Sequence, residues 1–518
     1  EWACPPLSGV LLALCDPPRH PLLLPSAALV PLAVWVAALP DGPAGRASAR
    51  RGVGLFAVVH FGLLFHWLLP ALSALTPVGP ALFVLGLLLL GSLTVLWGVA
   101  LHSAVVGLRA PIWLALPVSW TGLEWTMAHL PGPLAMPWLG LGTTLTAVPE
   151  AVGIAELVGA RGVTFWIAAV NGLAASALLR GRDASGSRGA LGRAAAWLAI
   201  LLLVAAPVGW GFWRASTLEI RSVGRVALVQ PAVPQRVRLD ADAVRRGTFA
   251  LLDELVPSIP RGSVRVAVLP EMVLPIEPGA PGDSVELRRL REYADEVGAP
   301  ILFGARGRAA TGDPSPRNSA FLMEPGGLAD FRYDKRRLVP VVERSLMLPL
   351  GVPARYRPVG DFAAGTGWSL ADVEGVAFGA TICFESAFAD IGRGLRAAGA
   401  DVLVNLTNDA WFGTGPSEAR GAALWQHPAH LVMRAIETRA GVVRVANVGF
   451  SFAVDPVGRL TDVTDPFDPS IAFVDVRTSD VQTLWVRVGD VTGRASAAGL
   501  GLLLLTAWLR RRRPSGDG

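Results

Sequence analysis

Residues 376–386 read VAFGATICFES. A mostly apolar run from Val376 to Ile382 leads into Cys383, and an acid follows at Glu385. A short run of this kind, opened by a glycine, reads as a buried β-strand. In α/β domains the residues just past the C-terminal ends of strands assemble sites, and Cys383 stands at such a place. A lone cysteine is ordinarily an inert core residue. What distinguishes this one is its company. VAVLPE (266–271) is a second apolar run, ending in Glu271, and FRYDKRRLVPVVE (331–343) holds Lys335 and Glu343.

An acid, a lysine and a cysteine make a coherent reaction unit. The thiolate is the attacking species, and a free thiol is mostly protonated at neutral pH. A neighbouring carboxylate can take the proton as general base. Attack on an acyl carbonyl creates an oxyanion, which the Lys335 ammonium could stabilise. The same ammonium would help hold the thiolate. Composition singles out this lysine: among 46 basic residues it is the only one that is not arginine. A compact ammonium on a flexible stem does what a planar guanidinium fork cannot.

Outward from these segments, β-type runs at 225–229, 264–269, 300–304, 319–323, 376–382, 402–406, 442–445 and 471–474 alternate with helical stretches at 243–255, 284–297, 388–397 and 428–439. That alternation predicts an α/β domain over 214–490. The flanks differ. Of the 518 residues 52% are hydrophobic and 17% charged, against about 25% charged in soluble proteins. Mean hydropathy is +0.47. Apolar stretches at 22–39, 53–75, 81–101, 111–123, 162–179, 194–213 and 495–509 approach bilayer-spanning length, and 7–14 reads as the end of one more helix.

Basic residues cluster at Arg46, Arg50 and Arg51, at Arg180, Arg182, Arg188 and Arg193, and at residues 510–513. If these are cytoplasmic, about eight helices alternate correctly, the first of them truncated, and 214–490 lies outside the cytoplasm. The expected domains are a membrane bundle over 1–213, the α/β domain over 214–490, and a last helix with a basic tail over 491–518. The three cysteines, Cys4, Cys15 and Cys383, are too few and too widely spaced for a disulfide framework. The modest net charge of +5 is gathered beside apolar runs, which suits loop anchoring better than nucleic-acid binding. Glu124 falls in an apolar run, where an acid is costly, and so reads as a structural partner or the lining of a lipid route.

Glu271, Lys335 and Cys383 stand in that order, 64 and 48 residues apart. With their flanks they resemble the carbon–nitrogen hydrolase (nitrilase) superfamily. Further motifs are WTGLEWTMAHLPGPLAMPWLGLG, NLTNDAWFGTGP and WQHPAHLVMRAIETRAGVVRVANVGFS. Together they make almost the full chain similar to the apolipoprotein N-acyltransferase family, a membrane-embedded branch of that superfamily. The resemblance implies an αββα sandwich, with Glu271 as general base, Lys335 as oxyanion-stabilising cation and Cys383 as nucleophile. It also implies Glu343 and Glu385 as supporting glutamates, with Asn408 and Trp411 near the site.

Three of the five asparagines (Asn405, Asn408 and Asn447) lie in these motifs. His427 reads as a packing or helix N-terminal residue rather than a catalytic one. Phe384 stands where many relatives have Tyr, and Leu239 where a familiar pattern has Trp. The implied partners are a phospholipid acyl donor and a diacylglyceryl-apolipoprotein acceptor at the bacterial inner membrane, with catalysis on the periplasmic side. No metal or cofactor is implied. The competing readings are a membrane-tethered amidase that passes the acyl group to water, and an inert membrane scaffold.

Overall fold

In the computed structural model the described residues are 2–16, 23–138, 140–183, 187–233, 241–274, 276–278, 285–308, 315–340, 342–344, 362–412 and 422–512. They form two units, one of residues 217–487 and one of residues 1–216 with 488–518.

In the first of these units, β1 (Arg221–Gln230), β2 (Val266–Val268), β3 (Ile301–Gly307), β4 (Arg317–Glu324) and β5 (Gly327–Asp334) build one sheet. A second sheet holds β6 (Leu370–Val373), β7 (Val376–Ile382), β8 (Val402–Thr407), β9 (Gly441–Ala446), β10 (Phe452–Val454) and β11 (Leu460–Thr461). The last strand, β12 (Ser470–Thr478), returns to the first sheet and pairs antiparallel with β1. β1, β2 and β3 run parallel, as do β7, β8 and β9.

The two sheets face one another, with β1 and β12 against β9 and β4 against β7. Ala227, Val229, Leu269 and Phe303 pack on Leu252, Leu290, Tyr293 and Val297 of the helices Ala241–Leu255 and Val285–Val297. Helices Ala389–Ala397 and Ala422–Thr438 cover the second sheet. The result is an αββα sandwich. The three parallel strands of each sheet read as near-continuous apolar runs because both faces are covered. That is why periodicity found them easily.

The other unit is helical. The expected apolar stretches are helical over most of their lengths, except 22–39, where the helix is confined to Val30–Ala37. Four are long and apolar enough to cross a membrane: Gly79–Gly107, Ala155–Arg180, Ala194–Thr217 and Val491–Leu509. Gly42–Leu64 and Leu68–Ala74 make a fifth span only if taken as one broken helix, bent by 63°. Pro70 explains the break, because its ring cannot follow a continuous helical backbone. Cys4–Leu14, Val30–Ala37 and Ile112–Ala128 are shorter. By length and composition the described residues thus supply four or five crossings where about eight helices were expected.

The basic clusters also differ from expectation. Arg46, Arg50 and Arg51 lie within the helix Gly42–Leu64, capped by Asp41, rather than in a loop before it. Packing in this unit relies on close approach of small residues. A Cβ on Gly122 would stand 2.5 Å from the Ser496 carbonyl oxygen of the helix Val491–Arg512.

Glu124 has a structural explanation. Its carboxylate accepts from Trp120 Nε1 at 2.8 Å, Leu141 N at 2.8 Å, Thr164 Oγ1 at 2.8 Å and Arg161 Nη1 at 2.6 Å. Four donors and one opposite charge offset the cost of burying the ion. Glu124→Ala strands the Arg161 guanidinium and should destabilise the helical unit by about 3 kcal/mol. Thermal unfolding of the detergent-solubilised chain checks this; an unchanged midpoint would contradict the structural role.

Candidate active site

Three strand ends in the sandwich converge. β2 gives way at Leu269 to the Pro270–Glu271 corner, where Met272 takes a φ of +46°. The corner lies hard against β3: a Cβ on Gly304 would meet Met272 N at 2.6 Å and Pro270 O at 2.7 Å. Glycine there lets the backbone carrying Glu271 approach. β5 ends at Asp334, and Lys335 follows; its N–H donates to Asn318 O and its carbonyl accepts from Gly365 N, each at 2.8 Å. β7 ends at Ile382, and Cys383 opens a tight turn with a φ of +51°. A left-handed residue with a Cβ costs about 1–2 kcal/mol, and such strain gathers at functional sites.

Lys335 is 1% exposed. Its Nζ stands 3.0 Å from Glu271 Oε1 and 2.9 Å from Glu343 Oε2. Asn318, on β4, joins the same group: its Nδ2 donates to Glu271 Oε1 at 2.8 Å and to Glu343 Oε1 at 2.6 Å. The Val339 amide donates to Glu343 Oε2 at 2.8 Å. Burial works against the Lys335 charge, yet Glu271 and Glu343 outweigh it and hold the ammonium above the ordinary lysine range.

Cys383 is half-buried. Burial, then the Glu271 charge, push its thiol upward, while Lys335 and a hydrogen bond from Thr407 pull it down without prevailing. The ammonium therefore acts in the expected direction but does not by itself create a resting thiolate. Attack by this sulfur requires a base to remove its proton as the bond forms, and Glu271 is the carboxylate whose charge bears most on it.

Glu385 lies two residues past Cys383, fully buried. Its oxygens accept from Ile382 N at 2.8 Å, Arg336 N at 2.7 Å and Tyr333 Oη at 3.0 Å. One carboxyl thus ties the backbone beside Lys335 to the turn that carries Cys383. Burial pushes its pKa up to about 7, against the pull of the Ile382 and Arg336 amides.

Asn408 is buried in the turn after β8, its Oδ1 accepting from Asn447 Nδ2 at 3.1 Å. Asn447 in turn holds both the N–H and the carbonyl of Val233. Trp411 belongs to the single turn Ala410–Phe412. Phe384 packs edge-on against Phe388, with ring centroids 5.1 Å apart. Leu239 lies outside the described residues.

The structure thus brings Glu271, Lys335, Glu343, Cys383 and Glu385 into one network. It adds two residues that sequence reasoning missed, Asn318 and Tyr333. Asn318 sits inside a strand with no motif around it, although the scarcity of asparagine in this chain was a usable signal.

A carbon–nitrogen hydrolase model matches residues 225–484. A model of the apolipoprotein N-acyltransferase N-terminal domain matches residues 8–173. The apolipoprotein N-acyltransferase of Geobacter metallireducens is 30% identical over 98% of this chain and 95% of its own. That of Gloeobacter violaceus is 31% identical over 98% of this chain and 93% of its own. An amidase from Nesterenkonia sp. AN1 overlaps 49% of this chain and 90% of its own, at 18% identity and a TM-score of 0.36.

Asn318→Ala removes the bridge between two carboxylates that then share Lys335 alone. Hydrogen bonds to charged groups contribute about 1.5–3 kcal/mol. The rate at which Cys383 reacts with an acyl donor should therefore fall about 10- to 100-fold, read as single-turnover kinetics by intact mass. A wild-type rate would show the bridge to be dispensable.

Proposed function

The chain belongs to the apolipoprotein N-acyltransferase family, and from that premise we propose the reaction and the residues that perform it. The chain is a membrane acyltransferase that moves a fatty acyl group from a phospholipid to the N-terminal amine of a diacylglyceryl-cysteine on an apolipoprotein. Cys383 is the nucleophile, Glu271 the general base and Lys335 the oxyanion-stabilising cation.

In the first half-reaction Glu271 takes the Cys383 proton as sulfur attacks the ester carbonyl. Negative charge passes to the carbonyl oxygen, where the Lys335 ammonium stabilises it. Collapse expels the lysophospholipid alkoxide, which receives the proton from Glu271, and leaves a thioester on Cys383. In the second half-reaction the acceptor's α-amine attacks that thioester and Glu271 takes its proton. The thiolate departs and is reprotonated, and the acceptor leaves as an amide. A thioester is a good relay because thiolate leaves readily toward an amine. Glu343 and Asn318 hold Glu271 and Lys335 in register, and Glu385 holds the two backbone segments together; these are positioning residues.

The observation that carries this reading is the buried Glu271–Lys335–Glu343 group, of which Glu271 and Lys335 act on a half-buried cysteine. Full-length kinship with the named acyltransferases supports the substrates. Both substrates are lipid-anchored, so the membrane helices belong to the reaction's setting. We place the catalytic unit on the extracytoplasmic side of the inner membrane, because it lies between two apolar helices, Ala194–Thr217 and Val491–Leu509, whose far ends adjoin Arg188 and Arg193 and the arginines at 510–513.

Incubation with phospholipid should raise the mass of the Cys383 peptide by one fatty acyl group, and an amine acceptor should discharge it faster than water. Discharge to water alone would favour an amidase, and an unmodified Cys383 would favour a scaffold. Lys335→Arg keeps the charge but replaces a point donor with a planar fork. The acylation rate should fall about 10²- to 10³-fold, measured by the same mass shift; a rate within a few-fold of wild type would remove the ammonium from the mechanism.

A further inference from the structure

A second buried cluster reaches Cys383 through its main chain. Asn405 and Thr407 lie on β8, Asp409 follows it, Arg444 lies on the adjacent β9, and His427 on the helix Ala422–Thr438. None of these five side chains is more than 1% exposed. His427 Nε2 stands 3.0 Å from the Cys383 carbonyl oxygen. Its Nδ1 is 3.0 Å from Asp409 Oδ1 and 3.3 Å from Arg444 Nη2. Arg444 pairs with the other Asp409 oxygen and donates from Nη1 to Asn405 Oδ1 at 3.1 Å. Asn405 Nδ2 gives the Cys383 carbonyl a second donor, at 3.3 Å.

A carbonyl only accepts, so His427 Nε2 carries a proton. A neutral ring then accepts at Nδ1 from Arg444, whereas an imidazolium would donate there to Asp409. Asp409 and Arg444 already cancel one another. A proton on the ring would leave an uncompensated charge in a buried site, which is strongly disfavoured. Burial and the Arg444 charge hold the imidazole below its usual range. Burial opposes ionisation of Asp409, but the Arg444 guanidinium keeps its carboxyl below the usual range. Among the described residues, the titratable and charged groups facing the ring are Asp409 from the turn after β8 and Arg444 from β9, and the Cys383 carbonyl faces it from the turn after β7. Glu271 and Lys335 act on the sulfur of the same residue.

We propose that Asp409, His427 and Arg444 form a positioning unit: neutral His427, held at Nδ1 by the Arg444 guanidinium that Asp409 pairs, donates from Nε2 to the Cys383 carbonyl and pins the left-handed turn that presents the thiol. His427 touches no reacting atom and moves no proton. The proposal rests on Cys383 being the nucleophile.

The test follows acyl-enzyme formation by intact mass in the full-length protein, solubilised with phospholipid. His427→Gln places an amide donor near the Nε2 position, and His427→Leu removes it. The Leu variant should lose about 30-fold in maximal acylation rate with an unchanged KM for lipid, while the Gln variant stays within about fivefold of wild type. The pH profile of the Gln variant should keep the wild-type shape from about pH 6 to 9. Three results would overturn the proposal: a Leu variant that acylates normally, a Gln variant that falls as far as Leu, and a Gln variant that loses one limb of the profile. A wild-type chain that never gains an acyl group would overturn the nucleophile assignment, and this proposal with it.

If the Leu variant does not fold, histidine ¹⁵N spectra of the unaltered chain decide. One of the seven histidines, assigned by its loss in His427→Gln, should hold its proton on Nε2 and not titrate between about pH 5 and 8. Titration of that ring in this range would overturn the neutral anchor.

Discussion

A single buried ammonium between two carboxylates organises the catalytic unit. Lys335 loses its water on folding, and Glu271 and Glu343, at 3.0 and 2.9 Å, make that tolerable. The three residues come from three separate stretches of chain, so the group exists only when β2, β5 and the segment after Lys335 are all in place. Two carboxylates against one ammonium leave the group acidic, and Asn318 divides its amide donors between them. That residual negative charge suits the proposed transfer of a proton from a thiol that burial has made reluctant to ionise.

Around this centre the fold applies close constraint at a few points. Gly304 admits the Glu271 corner, Glu385 ties the backbone beside Lys335 to the turn that carries Cys383, and the Asp409–Arg444 pair aims His427 at the Cys383 carbonyl. Each device acts on backbone placement rather than on the reacting atoms. An acyl-transfer site of this kind depends on holding its groups within a fraction of an ångström. Rigid strand ends, each anchored by buried hydrogen bonds, supply that precision better than a mobile loop could.

Much of this was legible in the sequence, for identifiable reasons. Parallel strands buried on both faces announce themselves as apolar runs, and Glu271 and Cys383 end two of them. Scarcity was a second signal: the one lysine is the buried cation, and all five asparagines, Asn171, Asn318, Asn405, Asn408 and Asn447, are buried. What escaped notice had the opposite character. β5 alternates inward Phe331 and Tyr333 with Asp330, Arg332 and Asp334, so its charges masked a strand. β6 and β10 are too short to carry a pattern. The cluster of Asp409, His427 and Arg444 joins three elements with no spacing that sequence could reveal, so His427 read as a packing residue. In the helical unit, hydropathy located the helices but not the Pro70 break or the arginines within helix ends.

Lys335 keeps its charge while buried, and the chain allows an unusually clean measurement of it. With one lysine in the sequence, ¹⁵N-lysine labelling gives one side-chain nitrogen resonance for the whole protein. The ammonium should survive well above the ordinary lysine value of 10.5, because Glu271 and Glu343 favour the charged form despite burial. That contribution to stability is fully present below 10.5 and is lost only as pH rises through the higher native value. A resonance that titrates at or below 10.5 would mean that the two carboxylates do not hold the cation, and the proposed oxyanion-stabilising role would fall with them.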